Sequence, residues 1–173
     1  MQERTEEVIM GADLMRRTLG VKLGVIAIEA NKPDAIEAIS TRIRELGLEA
    51  PADYARRHLA GQGTWSRANP ERTGWLMVAV CKVKYPQGAE KQLISAIMGR
   101  EVPSGKLPIN VGVIVNNVAT VHSAYKIIQK RKPMVERIVT VTGEGVARPG
   151  NYKIRIGTLL SEVFAAAGVS VEN

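Results

Sequence analysis

The sequence predicts a mostly parallel α/β layer followed by the opening of a smaller β-rich unit. Three observations carry this. Short apolar runs alternate with stretches of helical spacing as far as Lys132. After Pro133 the pattern changes to alternating strands around a Gly/Pro turn. Apolar residues make up 45% of the 173, while only two Trp, four Tyr and one Phe are present, so Ile, Val, Leu and Ala must build the core. That length holds one ordinary domain, or one domain and a small second piece.

The elements follow in order. "TEEVIMGADLMRRTLG" has apolar residues at helical spacing and a stop at Gly20. "KLGVIAIEAN" reads as a buried strand over Leu23–Glu29. "KPDAIEAISTRIRELG" is an amphipathic helix opened by Pro33 and closed by Gly47. "LEAPADYARRHLAGQGTWSRANPERTG" is polar and rich in Gly, Pro and Arg, and reads as an excursion over 48–75 with one short helix near Tyr54–Leu59. "WLMVAVCKV" gives a second strand, Leu76–Val83, and "GAEKQLISAIMG" a second helix between Gly88 and Gly99. "REVPSGKLPI" is a loop. "VGVIVNN" predicts a third parallel strand, Val111–Asn116, and "VHSAYKIIQK" the next helix. Beyond Pro133, "ERIVTVTGEGVARPGNYKIRIGT" is a hairpin and "LLSEVFAAAG" a helix ending at Gly168. The domains expected are therefore 1–132 and 133–173. A hairpin and one helix can bury little core by themselves.

Composition excludes several functions. One cysteine, Cys81, allows no intrachain disulfide and no Cys-based zinc or iron–sulfur site held by this chain alone. It lies in "LMVAVCKV" and reads as a small buried hydrophobe. No apolar run is long enough to span a bilayer, and the charged start "MQERTEEVIM" lacks the core of a signal peptide. The net charge of +7 invites a nucleic-acid reading, but the basic residues are scattered. Their one cluster, "KIIQKRKP" (Lys126–Pro133), reads as a solvated helix end. "GREVPSGKL" resembles a phosphate loop but has the wrong spacing, has Leu107 where a Ser or Thr is needed, and leaves a helix instead of joining a strand to one. His58 and His122 have no metal-ligand spacing to each other or to Cys81.

Strand ends remain as candidates, because ligands of open α/β sheets bind beyond the carboxyl ends of the strands. "KVKYPQGAE" ends a strand, turns through Tyr85–Gly88 and opens a helix whose free N–H groups suit an anion or an electron-rich ring. "VNNVAT" presents Asn116, Asn117 and Thr120, a mix of donors and acceptors that suits a flat heteroaromatic ligand. The plain alternative is that Asn117 or Thr120 caps the next helix. Two adjacent amides exceed what one cap requires.

At these residues a family resemblance enters. "IEANKPDAI", "KYPQGAEKQLISAIMGREVPSGKLPINVGVIVNNVATVHSAYKII" and "VERIVTVTGEGVARPGNYKIRIGTLLSEV" closely resemble the C subunit of the Rnf electron transport complex. The likeness runs from Met1 to about Val171, apart from Leu48–Thr73, where this chain is longer than the family pattern. That subunit is similar to the NADH- and flavin-binding subunit of respiratory complex I. The resemblance implies a three-layer, Rossmann-like flavin domain in part, then the start of a soluble-ligand-binding β-grasp domain. In that wider family a "Y-x-x-G-E-E" turn lies against FMN and NADH. Tyr85, Gly88 and Glu90 match it, with Ala89 in place of the first glutamate. An "N-N-V-E-T" turn contacts the flavin. Asn116, Asn117 and Thr120 match it, with Ala119 in place of the glutamate. Lys106 matches a basic residue that helps to hold NADH.

The resemblance further implies a middle fragment. The Gly-rich loop for the FMN phosphate would lie before Met1, and the cysteines of the 4Fe-4S clusters beyond Asn173. The whole subunit would take hydride from NADH onto FMN and pass electrons to its clusters, whereas the isolated piece would be inactive and hold no cofactor tightly. The implied partners are NADH and the other subunits of the complex. The implied location is the cytoplasmic face of a bacterial or archaeal membrane, reached only through those subunits. No catalytic residue, metal ligand or nucleic-acid contact is expected in the chain. The alternative is a non-catalytic interaction module with a vestigial flavin pocket, which Ala89 and Ala119 favour.

Overall fold

A computed structural model describes residues 4–59 and 74–169. The chain divides into two compact units, Met1–Lys130 and Arg131–Asn173. Part of the expected 48–75 excursion, residues 60–73, lies outside the described residues.

In the first unit, helix α1 (Thr5–Thr18) leads to strand β1 (Leu23–Glu29) and helix α2 (Pro33–Glu45). Helix α3 (Ala52–Leu59) precedes strand β2 (Trp75–Cys81). β1 and β2 pair in parallel, from Leu23 opposite Trp75 to Glu29 opposite Cys81. On its other side β2 takes a short bridge: Leu76 N–H donates to Leu48 O at 2.7 Å, and Ala50 N–H to Leu76 O at 2.9 Å. The period of α2 decides what covers this sheet. Ala35, Ile39 and Ile43, four residues apart, lie on one stripe and bury against Ile28 and Leu76, with Ile9 of α1 completing the core.

Helices α4 (Glu90–Met98) and α5 (Val118–Lys130) complete the unit. α5 packs on α1, and Gly11 makes that contact close: a Cβ there would overlap the Val121 carbonyl oxygen. Asp13 is buried on the same helix with Arg16. Arg16 Nε and Nη2 donate to Asp13 Oδ1 at 3.0 and 2.5 Å, and Arg17 Nη2 lies 2.6 Å from Asp13 Oδ2.

The expected third strand, Val111–Asn116, is not a strand. Pro108–Val111 forms a short 3-10 helix, and Gly112 follows with φ +74°. Local turn chemistry outweighs the apolar run. Asn110 Oδ1 accepts the Leu107 N–H, the Pro108 carbonyl accepts Val113 N–H, and Gly112 supplies the left-handed backbone. Residues 113–117 then pair with no strand among the described residues.

The second unit is an antiparallel hairpin, β3 (Glu136–Val141) and β4 (Gly150–Arg155), with helix α6 (Leu160–Ala167). Its core is small: Val141, Val163 and Ala167, flanked by Val139, Tyr152 and Ile154. Arg148 closes α6 by donating to the carbonyls of Ala165 and Ala166. No helix among the described residues is long and apolar enough to cross a membrane.

Candidate functional site

The first half of the site grows out of the carboxyl end of β2. After Cys81 the chain carries Lys82 and Lys84 outward and turns twice within the six residues Lys84–Ala89. Gln87 N–H donates to Lys84 O and Ala89 N–H to Pro86 O, both at 2.8 Å, around a cis Tyr85–Pro86 bond. Tyr85 stands 98% exposed, whereas Gln87, two residues on, is 5% exposed. Ala89 is the N-cap of α4 and offers no capping side chain. The N–H groups of the first helical turn are therefore left for solvent or a ligand. Glu90 opens the helix, and Gly88 leaves open space where a Cβ would stand.

The second half is the start of α5. Asn117 Oδ1 accepts the Ala119 N–H at 2.8 Å, and its carbonyl accepts Thr120 and Val121 N–H. Asn117 is therefore the cap. Thr120 is not, because it lies inside the helix. The Asn116 side chain is exposed and makes no hydrogen bond to the described residues. Lys106 is exposed in the loop between α4 and the 3-10 helix, where its N–H donates to Pro103 O.

All seven residues singled out from the sequence are exposed. They fall on two helix N-termini and one loop, and no hydrogen bond joins the α4 set to the α5 set among the described residues. A shallow groove along α4 includes Lys84, Gln87, Lys91 and Ser95. Sequence reading does not single these out, although "KYPQG" contains two of them. Cys81, at the foot of the turn, is buried and free. Burial, and then the Glu29 carboxylate, push its thiol pKa upward, away from the thiolate that a nucleophile requires. No cluster of metal-binding side chains occurs among the described residues.

Residues 1–126 match the model of the Nuo51 FMN-binding domain, and residues 138–168 match the SLBB domain. The chain is 36% identical over 168 residues to the C subunit of the ion-translocating oxidoreductase complex of Rhodobacter capsulatus, covering 97% of this chain and 27% of that protein. It is 38% identical to the protein of the same name from Haemophilus influenzae strain 86-028NP, covering 97% and 21%. Against the C subunit of the Na(+)-translocating ferredoxin:NAD(+) oxidoreductase complex of Acetobacterium woodii it is 36% identical, covering 97% and 32%. It thus spans about a third or less of the relatives it matches. In fold it is similar to a chain of an NAD+-reducing NiFe hydrogenase in the air-oxidized state, with a TM-score of 0.68 at 19% identity over 97% of this chain and 29% of that one. The resemblance to the C subunit of the Rnf complex is therefore borne out. The match over residues 1–126 carries α4 and the start of α5 with both their N-terminal turns, and by it the chain belongs to the family of the Nuo51 FMN-binding domain.

Proposed function

We propose that this chain is part of the C subunit of a membrane-bound ion-translocating oxidoreductase complex, the part that faces the ring of FMN and the NADH. Three things support the reading: the family, the names of the relatives, and the Asn116 amide. That amide is exposed beside a capping neighbour and makes no hydrogen bond to the described residues. It supplies a donor and an acceptor to the polar edge of a flavin ring, where such contacts tune the reduction potential. Tyr85, Gly88 and Glu90 line the approach of the nicotinamide, with Thr120 and Lys106 completing the contacts. When bound, FMN supplies the exchange between two-electron and one-electron chemistry.

The residues described fit the ring better than the phosphate of FMN. The Gly-rich cradle that a flavin phosphate requires is absent from their sequence. The whole subunit would oxidise NADH and pass electrons to 4Fe-4S clusters held outside these residues. Its partners would be the other subunits, and it would sit peripherally on the cytoplasmic face of the membrane. Residues 1–132 would form the flavin side and 133–173 the β-grasp start.

Titrating the 173-residue chain with FMN, and the full-length subunit with FMN and NADH, tests this. Tight flavin binding by the full-length subunit and weak binding by the chain is the expected result. Absence of flavin and NADH binding in the full-length subunit would favour a second reading, an interaction module with a vestigial pocket. Ala89 and Ala119, both at positions where the resemblance expects glutamates, are the observation behind that alternative.

A further inference from the structure

α5 carries the second half of the candidate site, yet none of its own residues is fully buried. It packs on α1, which is itself held in the core through Ile9. The chain leading into α5 adds no tether of its own. Ile114, Val115 and Asn116 make no hydrogen bond to the described residues. The acceptor atoms of Asn117 serve only Ala119, Thr120 and Val121, all on α5 itself. The seat of α5 on α1 therefore sets where the Asn116 amide stands.

Two contacts fix that seat. Glu7 and Gly11 are four residues apart on α1 and so lie on one face. Gly11 sets the depth, because a Cβ there would overlap the Val121 carbonyl oxygen. Close approach alone limits how near two helices lie and leaves one free to turn about its axis. The next residue of α5 removes that freedom. His122 Nε2 donates to Glu7 Oε2 at 2.6 Å, a directional bond between side chains only 20% and 32% exposed. Arg4 Nη1 lies 3.6 Å from the same carboxylate, but it precedes α1 and does not reach across by that contact. Lys130 of α5 acts on Glu7 through its charge. His122 thus carries the hydrogen bond of the Glu7 carboxylate over to α5. Asn116 precedes His122 by less than two helical turns, so a rotation of α5 swings the amide out of line.

We propose that His122 is a positioning residue of the flavin site: its bond to Glu7 fixes the rotation of α5 on α1 and thereby places the Asn116 amide. The role of that amide toward the flavin ring rests on the function proposed above. The seating of α5 rests on the two helices alone.

The test is FMN titration of the full-length subunit, followed by flavin fluorescence. His122→Ala is expected to lower FMN affinity about threefold, the worth of a partly exposed ion pair. Made on top of Asn116→Ala, it should lower affinity no further, because the amide that it places is gone. A merely structural loss would appear equally in both backgrounds. Glu7→Ala removes the bond from the α1 side and should give the same pair of results. It carries the test should His122→Ala fail to fold. His122→Gln, whose amide can donate to Glu7, should recover most of the affinity. Arg17→Ala breaks an exposed ion pair that lies within α1 and should leave affinity at the parent value. Unchanged affinity in His122→Ala and Glu7→Ala, or equal loss with and without Asn116, overturns the inference, and flavin binding by the parent then leaves the proposed function standing. A parent subunit that binds no flavin overturns both.

Discussion

The imidazole Nε2 of His122 lies 2.6 Å from Glu7 Oε2 and ties the second turn of α5 to the first turn of α1. Arg4 Nη1 is 3.3 Å from the same nitrogen and 3.6 Å from the Glu7 carboxylate. A nitrogen that gives its proton to Glu7 cannot also accept one from Arg4, so Arg4 serves the carboxylate.

These partners, His122 foremost, hold the Glu7 carboxyl below its ordinary value of 4.5. A carboxylate whose pKa is depressed by folding stabilises the fold above its ordinary value and stops doing so as pH falls through the depressed one. Glu7→Gln should therefore cost roughly 0.5 kcal/mol at pH 7, given the pair's partial exposure. The gap between parent and variant should close below pH 4.5. Thermal melts from pH 7 downward check this, and a gap that does not narrow as pH falls below 4.5 contradicts it.

Asp13 is the deeper electrostatic commitment. It is 2% exposed and Arg16 3%. Asp13→Ala leaves a buried guanidinium without its carboxylate, and should cost about 3–5 kcal/mol. Arg17→Ala removes only the exposed partner, and should cost less than about 1 kcal/mol. Urea unfolding of the two variants separates them. Equal losses would mean that the buried pair carries no special weight.

Gly11 sets the closeness of α1 and α5. Alanine normally favours a helix by about 1 kcal/mol over glycine. Here the added Cβ meets the Val121 carbonyl oxygen, so Gly11→Ala should destabilise by about 1–3 kcal/mol. A variant more stable than the parent in chemical denaturation would show that the crossing yields without strain.

The two adjacent asparagines should separate by function. Asn117→Ala removes the cap of α5 and should cost about 1 kcal/mol of stability. Asn116→Ala touches nothing in the fold, so stability should hold. In the full-length subunit it should lower FMN affinity several-fold, the value of one hydrogen bond. Unchanged flavin affinity removes Asn116 from the site.

The sequence predicts β1 to the residue and sets the limits of α2 from Pro33 and Gly47, because apolar period and end signals agree there. β2 ends at Cys81 and not at Val83, since the pairing stops where Ala30 N–H takes the Cys81 carbonyl. The third strand fails because "VGVIV" carries strand propensity, while Pro108, Asn110 and Gly112 around its start carry turn geometry. At the site, the cap at Asn117 is legible as one of two options. Gln87 is not. Hydrophobicity alone would bury Tyr85 and expose Gln87, and the fold does the reverse. That inversion comes from a double turn whose path no residue period encodes.

The far side of β1 pairs with no strand among the described residues. Of its seven residues, LGVIAIE, three are β-branched, none is proline and one carries a charge, at the end. Such an edge is a template for intermolecular pairing, the route by which chains coagulate. What opposes it is mutual repulsion between copies carrying a formal charge of +7. The colloidal behaviour of the chain should therefore be salt-controlled. Light scattering at fixed concentration should rise as ionic strength shortens the screening length, and a charged substitution at Val25 on this strand should suppress the rise.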